Sequence, residues 1–312
     1  MEHGKHVLAV SQFFDRSLLN DLFNRASMLA ELDKQSNLQP TLRSKILATI
    51  FYEPSTRTRF SFESAMQKLG GNVITTESAG LFSSAIKGES LEDSIRVCAG
   101  YADAIVLRHP ELGAAARAAS VSSVPIINAG DGPGEHPTQA LLDVYTIQKE
   151  LGKLDNLNNL NVVFAGDLLY GRTVHSLLQL LLVFPNISLQ FVSPQQLALP
   201  QKYRDLLTER KARFTETNNL DEVLPSADVL YVTRVQKERF ASQEDYEKVK
   251  SAFVITRATL DKMKQKSIVM HPLPRVTEIS PDIDSDPRAA YFRQAANGLY
   301  VRMALLEKVL AP

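Results

Sequence analysis

Phe51-Tyr52-Glu53-Pro54-Ser55-Thr56-Arg57-Thr58-Arg59-Phe60 is the stretch on which the reading of this chain turns. The run before it, Lys45-Ile46-Leu47-Ala48-Thr49-Ile50-Phe51, is apolar and β-branched, as a buried strand is. Beyond it Phe62, Ala65, Met66 and Leu69 recur at helical spacing until Gly70-Gly71 ends the pattern. The stretch therefore occupies a strand-to-helix junction. The first N–H groups of a helix have no partner inside it and lie at the positive end of its dipole, so an anion bound there gains hydrogen bonds and a favourable field. Ser55, Thr56 and Thr58 add hydroxyl donors, and Arg57 adds a fork that meets phosphate oxygens two at a time. The segment reads as a phosphate cradle. Its plainer reading is a helix cap, with hydroxyls on orphan amides and both arginines in solvent.

Outward from this junction, six more apolar runs read as buried parallel strands: Ala104-Ile105-Val106-Leu107, Val124-Pro125-Ile126-Ile127-Asn128, Asn161-Val162-Val163-Phe164-Ala165, Leu189-Gln190-Phe191-Val192, Val229-Leu230-Tyr231-Val232 and Ile268-Val269-Met270. Helical segments separate most of them, so the fold class is α/β, with central, mostly parallel sheets flanked by helices. Such sheets bind ligands beyond the carboxyl ends of their strands. The residues that follow the runs are Arg108-His109, Gly130-Asp131-Gly132 and then His136, Gly166-Asp167 and then Arg172, Thr233-Arg234-Val235-Gln236, and His271-Pro272-Leu273-Pro274-Arg275. Cationic and amide groups thus recur where a site is expected. The polar stretch 151–159 marks a turn before a new strand, and the crossing between two domains belongs in the helical segment before it.

The chain's 312 residues suffice for two domains with separate cores. Lys+Arg 35 against Asp+Glu 35 leaves no net field to draw nucleic acid or an anionic membrane, so anion binding must come from local clustering. One cysteine, Cys98, makes no disulfide framework and fits a reducing compartment. No apolar run reaches membrane-spanning length and Met1-Glu2-His3-Gly4-Lys5-His6 is no signal peptide, so the expectation is a soluble, cytoplasmic protein; a processed organelle form would read the same. Gly166-Asp167 before Gly171-Arg172-Thr173 suggests a dinucleotide turn, but the three-glycine fingerprint is missing. The six histidines are scattered without ligand spacing, so no metal and no other cofactor is expected.

Ser55-Thr56-Arg57-Thr58-Arg59, His136-Pro137-Thr138-Gln139 and His271-Pro272-Leu273-Pro274 together resemble the signatures of the aspartate and ornithine carbamoyltransferases, and the likeness runs through most of the chain. The resemblance implies two doubly wound domains, residues 1–137 joined by a C-terminal helix 294–312, and residues 138–293, with the active site in the cleft between them. It implies that Ser55, Thr56, Arg57 and Thr58 hold carbamoyl phosphate, that Thr58, Arg108 and His136 face the carbonyl oxygen, and that Gln139 and the carbonyl of Leu273 take the carbamoyl NH₂, with Leu273-Pro274 a cis bond. The bland alternative for His136 is a histidine packed beside a proline turn.

Thr233-Arg234-Val235-Gln236 offers a guanidinium and an amide, and Arg172 a second guanidinium, as two substrate carboxylates require. The ornithine branch's cysteine in place of Leu273 and its Ser-Met-Gly motif are absent, so the resemblance is to the aspartate branch; the ornithine branch and a silent assembly subunit are the alternatives. By the same likeness Glu53 pairs with Arg172 and Arg239, and Ser83 and Lys87 reach a neighbouring subunit's site in a homotrimer. From composition alone that loop is a surface loop with a solvated lysine. Room is left for a regulatory chain. Phe82, read either as loop packing or as support for a bound pyrimidine nucleotide such as UMP, raises feedback inhibition in the phosphate cradle.

Overall fold

Parallel strands need crossovers, and the alternation of apolar runs with helical segments supplies them in two separate sheets. A computed structural model describes residues 5–79, 88–152, 157–235, 242–244 and 253–311. The chain divides into one unit of Met1–Leu142 with Ala296–Pro312 and a second of Asp143–Ala295.

In the first unit, strands β1 (Ile46–Phe51), β2 (Asn72–Glu77), β3 (Ala104–His109) and β4 (Ile126–Asp131) form an all-parallel sheet in the order β2-β1-β3-β4. Helices α1 (Arg16–Lys34), α2 (Thr56–Lys68), α3 (Leu91–Ala99) and α4 (Ala114–Val121) lie among them in sequence, and α5 (Pro137–Glu150) leaves the unit. The foreseen periodicity of α2 is the buried face Phe62, Ala65 and Met66. Ile50, Ile95, Ile105, Leu107 and Ile126 pack into one core cluster. Burying each such side chain contributes about 1.5–3 kcal/mol. Near the free edge of β4, the N–H of Val7 donates to Ile126 O and its carbonyl accepts from Asn128 N, both at 2.8 Å.

The last helix, α9 (Tyr291–Leu310), returns to this unit. Arg25 grips Glu307 through two nitrogens at 2.6 and 2.8 Å, and Thr41 donates to the same carboxylate at 2.7 Å.

In the second unit β5 (Asn161–Ala165), β6 (Ser188–Val192), β7 (Arg213–Thr217), β8 (Val229–Val232) and β9 (Ile268–Met270) form a parallel sheet ordered β7-β6-β5-β8-β9. Helices α6 (Arg172–Leu181), α7 (Gln201–Glu209) and α8 (Arg257–Asp261) fall between strands. Val163, Val192, Leu230, Val269 and Tyr291 share its core.

Seven strands coincide with the runs read from sequence; β2 and β7 were not foreseen. Both are edge strands with no buried residue, so neither carries the continuous apolar run that marks a strand covered on both faces. The expected crossings at 137/138 and 293/294 stand beside unit boundaries at 142/143 and 295/296, all within α5 and α9.

Candidate active site

In the first sheet, β1 and β3 are neighbours although β2 intervenes in the chain. The connections leaving β1 and β3 run to opposite sides, which opens a crevice beyond the carboxyl ends of those two strands. Phe51 pairs in register with Arg108, and the N–H of Tyr52 donates to the Arg108 carbonyl at 2.9 Å. Five residues after β1 the chain enters α2 with Ser55 as N-cap, yet the serine side chain makes no capping hydrogen bond. The cap reading therefore does not account for this hydroxyl. Thr56 and Arg57 are exposed, and Thr58 is buried.

The two arginines of the motif divide. Arg59 turns to Glu77 at 3.2 Å and Glu63 at 3.7 Å, and Glu63 also accepts from Thr49 and Thr75. Arg59 is thus fixed in a polar network beside β1 and β2 and is structural, while Arg57 stays at the helix entrance.

Arg108, half-buried, donates to the carbonyl of Ala129 at 3.4 Å, and its Nε lies 3.7 Å from Glu53. Arg108 is thus a cation beside Glu53; Arg239, an expected partner, lies outside the described residues. His136 is buried, and its carbonyl accepts from the N–H of Gln139 and Ala140 at 3.0 and 3.2 Å, which starts α5. Its loop is shaped by Asp131, whose Oδ1 accepts from Glu135 N at 3.0 Å and Oδ2 from Gly113 N at 3.1 Å. Gly132 has φ +53°, and a Cβ there would stand 2.1 Å from the Pro110 carbonyl oxygen, so only glycine allows this approach. Thr138 and Gln139 are buried on the first turn of α5, where Arg302 donates to Thr138 at 3.4 Å.

The second sheet repeats the logic. Strands β5 and β8 are neighbours with β6 and β7 between them in sequence, so the crevice opens after Ala165 and Val232. Gly166, at φ +117°, approaches the Thr233 carbonyl so closely that a Cβ would lie 2.2 Å away. The N–H of Thr233 donates to Ala165 O at 2.9 Å and its hydroxyl to Asp167 O at 3.2 Å. Asp167 in turn accepts from Tyr170 N at 2.9 Å, which curls the chain into Gly171 and then Arg172, the first residue of α6. His175 Nε2 meets the Leu168 carbonyl at 2.8 Å while its ring stacks on Tyr203 at 4.2 Å. Burial pushes the His175 pKa down to about 4, so at neutral pH the ring is uncharged. Arg234, half-buried, follows Thr233 after β8.

Past β9, Leu273 has φ +53° and the Leu273–Pro274 bond is cis, as the resemblance led us to expect. Two other residues read at strand ends have structural partners. Arg275 pairs with Asp284 and lies over the rings of Tyr291 and Phe292, and His109 Nδ1 accepts from Glu111 N at 3.1 Å.

Ser55, Thr56, Arg57, Thr58, Arg108, His136 and Gln139 thus gather around the carboxyl ends of β1, β3 and β4, and Arg172, Arg234, Leu273 and Pro274 follow the carboxyl ends of β5, β8 and β9. Phe82, Ser83, Lys87 and Gln236 lie outside the described residues. Asp131, Asp167, His271 and Glu278 were not singled out as site residues, although an aspartate between glycines after a strand is a local turn signal that could have found Asp131. Among the described residues no group of three or more His, Cys, Asp or Glu could hold a metal ion, and no helix is long and apolar enough to cross a membrane.

Residues 5–149 match the family described as "Aspartate/ornithine carbamoyltransferase, carbamoyl-P binding domain", and residues 158–309 its "Asp/Orn binding domain". The chain is 52% identical to a chloroplastic aspartate carbamoyltransferase of Arabidopsis thaliana over 95% of this chain and 76% of that one. It is 50% identical to an aspartate carbamoyltransferase catalytic subunit of Thermoplasma volcanium over 99% of both. Among solved structures, the catalytic subunit of M. jannaschii aspartate transcarbamoylase superposes with a TM-score of 0.90 at 49% identity, covering 98% of this chain and 97% of that one. The Trypanosoma cruzi enzyme in complex with carbamoyl phosphate and aspartate gives 0.93 at 41% identity, covering 99% and 98%. Another structure of that enzyme holds N-(phosphonacetyl)-L-aspartic acid, with a TM-score of 0.92 at 42% identity over 99% and 97% of the two chains.

Proposed function

The chain belongs to the aspartate/ornithine carbamoyltransferase family, and on that premise we propose how the chemistry is divided along it. The enzyme transfers the carbamoyl group of carbamoyl phosphate to the amine of L-aspartate, giving N-carbamoyl-L-aspartate and phosphate for pyrimidine biosynthesis. The observation that carries the assignment is that each sheet presents anion-binding side chains at its own switch point: a cradle at the start of α2 in one unit, and two guanidinium groups, Arg172 and Arg234, in the other. Two guanidinium groups suit the two carboxylates of aspartate. Ornithine's second amine would meet like charge.

In this reading Ser55, Thr56, Arg57, Thr58 and the α2 amides hold the phosphate. Thr58, Arg108 and His136 donate to the carbonyl oxygen, where negative charge grows as the unprotonated amine attacks the carbamoyl carbon. Donors set in advance at such a position contribute about 2.7–4 kcal/mol each. Gln139 and the carbonyl of Leu273 orient the carbamoyl NH₂, and Arg172, Arg234 and Gln236 hold aspartate. Phosphate leaves, and one of its oxygens takes the amine proton. Fixing both reactants in register removes much of the entropic barrier.

Ser83 and Lys87 complete a neighbouring chain's cradle in a homotrimer, Lys87 offsetting phosphate charge. A pyrimidine nucleotide such as UMP sets its phosphate in the Arg57 cradle with Phe82 supporting the loop, which gives feedback inhibition competitive with carbamoyl phosphate. The protein works in the cytoplasm, or in an organelle when processed from a precursor; the plant relatives are named chloroplastic. The mass of the native assembly reads whether a regulatory chain joins the trimer. A ligand that unites both substrates, as N-(phosphonacetyl)-L-aspartic acid does, engages both sets of residues. The test of the activity is phosphate release from carbamoyl phosphate: it should require aspartate and be absent with ornithine, and the reverse would overturn the assignment.

A further inference from the structure

Leu273 holds a left-handed backbone conformation, φ +53°, which a residue with a Cβ keeps only where its surroundings enforce it. The surroundings are a hydrogen-bonded chain buried in the second unit. The N–H of Leu273 donates to His271 Nδ1 at 2.7 Å. That nitrogen must therefore carry a lone pair and no proton, which places the ring proton on Nε2. Nε2 lies 2.8 Å from Glu278 Oε1, so the imidazole donates to the carboxylate. The same carboxylate accepts from the N–H groups of Val276 at 3.2 Å and Thr277 at 3.0 Å. His271 and Glu278 side chains are 1% and 7% exposed, so water does not compete for either partner.

The main chain at His271 is fixed independently. Its N–H donates to Gln294 Oε1 at 2.9 Å; Gln294 is oriented by donating to Asp143 Oδ1 at 2.7 Å, and Asp143 accepts the Tyr231 hydroxyl at 2.8 Å. With the backbone held on that side, the ring tautomer alone decides whether Nδ1 receives or repels the Leu273 amide.

We infer that Glu278 is a positioning residue for carbamoyl transfer: through His271 it holds the Leu273 amide and thereby aims the Leu273 carbonyl. This rests on the reading above that the Leu273 carbonyl contacts the carbamoyl NH₂. In Glu278→Gln, a carboxamide that donates to Nε2 drives the ring proton to Nδ1, where it opposes the Leu273 N–H. A misplacement of about 1 Å in a reacting group's support costs on the order of 100-fold in rate.

The experiment uses the full-length enzyme with selectively ¹⁵N-labelled histidine, which gives only six imidazoles to resolve, and steady-state kinetics on the same samples. Wild type should show His271 as the neutral Nε2–H tautomer. Glu278→Gln should move His271 away from it and lower kcat about 10–100-fold, with the aspartate KM changed less than about threefold, because Arg172 and Arg234 are untouched. Glu278→Asp keeps a carboxylate and should recover at least tenfold of the Gln loss. In a His271→Asn background the Asn oxygen accepts from Leu273 N–H without a tautomer to set, so adding Glu278→Gln should change kcat less than about twofold. An unchanged His271 tautomer in Glu278→Gln, equal activity of the Asp and Gln variants, or an undiminished Glu278→Gln effect beside His271→Asn would each overturn the positioning role. A shifted tautomer with unchanged kcat would overturn the Leu273 contact, and the role with it, while aspartate-dependent phosphate release by wild type would stand.

Discussion

Arg57 and Arg59 are two positions apart on one helix turn and are committed differently. Arg59 is held by Glu63 and Glu77, while Arg57 stays at the exposed entrance of α2. A periodicity of 3.6 residues per turn puts side chains two apart on different faces, so the motif could be read as cationic without revealing which arginine meets a ligand. Arg57→Ala should weaken carbamoyl-phosphate binding about 10–100-fold, the range of one or two lost charged hydrogen bonds. Arg234→Ala should instead raise the aspartate KM and lower turnover, with carbamoyl-phosphate affinity within about threefold of wild type. Direct titration of both variants with carbamoyl phosphate checks this. Loss of that binding in folded Arg234→Ala would break the proposed division of the site.

Elements place these residues through constraints that lie between strands. Gly166 must let β5 and β8 close within reach of the Thr233 carbonyl. Gly166→Ala should destabilise the protein by about 3 kcal/mol, from backbone strain and displacement of Thr233, as read by chemical denaturation. His175 donates to Leu168, ahead of α6, whether or not the ring is protonated, so it is burial that opposes its charged form. Its folded pKa of about 4 lies below the ordinary 6.5, so the unfolded chain binds the proton more readily. The stability it contributes is complete above pH 6.5, declines as pH falls from 6.5, and is gone below about 4. The span corresponds to roughly 3 kcal/mol. Denaturation midpoints at pH 7.5 and 5 should therefore differ less in His175→Gln, whose amide keeps a donor near Leu168 without titrating; an identical acid sensitivity would assign it to other groups.

At the scale of the whole molecule, the proposed function assigns one substrate to each sheet, and a ligand that carries both substrate halves tests that assignment. N-(phosphonacetyl)-L-aspartic acid at about 1,000 times its Kd should stabilise wild type by about 4 kcal/mol, and Arg57→Ala and Arg234→Ala should each lose most of that shift in thermal denaturation. An unaltered shift in either variant would remove that residue from the site. The proposed trimer has its own consequence: Lys87→Ala and Arg57→Ala assemblies should each be nearly inactive, yet hybrids reassembled from both should regain activity. Hybrids verified by native mass spectrometry that stay as inactive as their parents would confine Lys87 to its own chain.

Local patterns of this sequence determined what is encoded within a few residues of itself: the seven strands buried on both faces, the strand-to-helix junction within 51–60, the helical face of Phe62, Ala65 and Met66, and the cationic residues after the strand ends. Buried strands announce themselves because a sheet covered on both sides favours apolar side chains and takes polar ones only where a partner satisfies them. Tertiary structure decided the rest. The edge strands β2 and β7 owe their existence to hydrogen bonds offered by β1 and β6, which no local run of residues records. Arg59 became structural because Glu77, on another strand, reached it. Strand order, and with it both switch points, is a property of pairing between segments far apart in the chain. The His271–Glu278 pair exists only because the loop between them folds back on itself, bringing seven residues' separation down to one hydrogen bond of 2.8 Å.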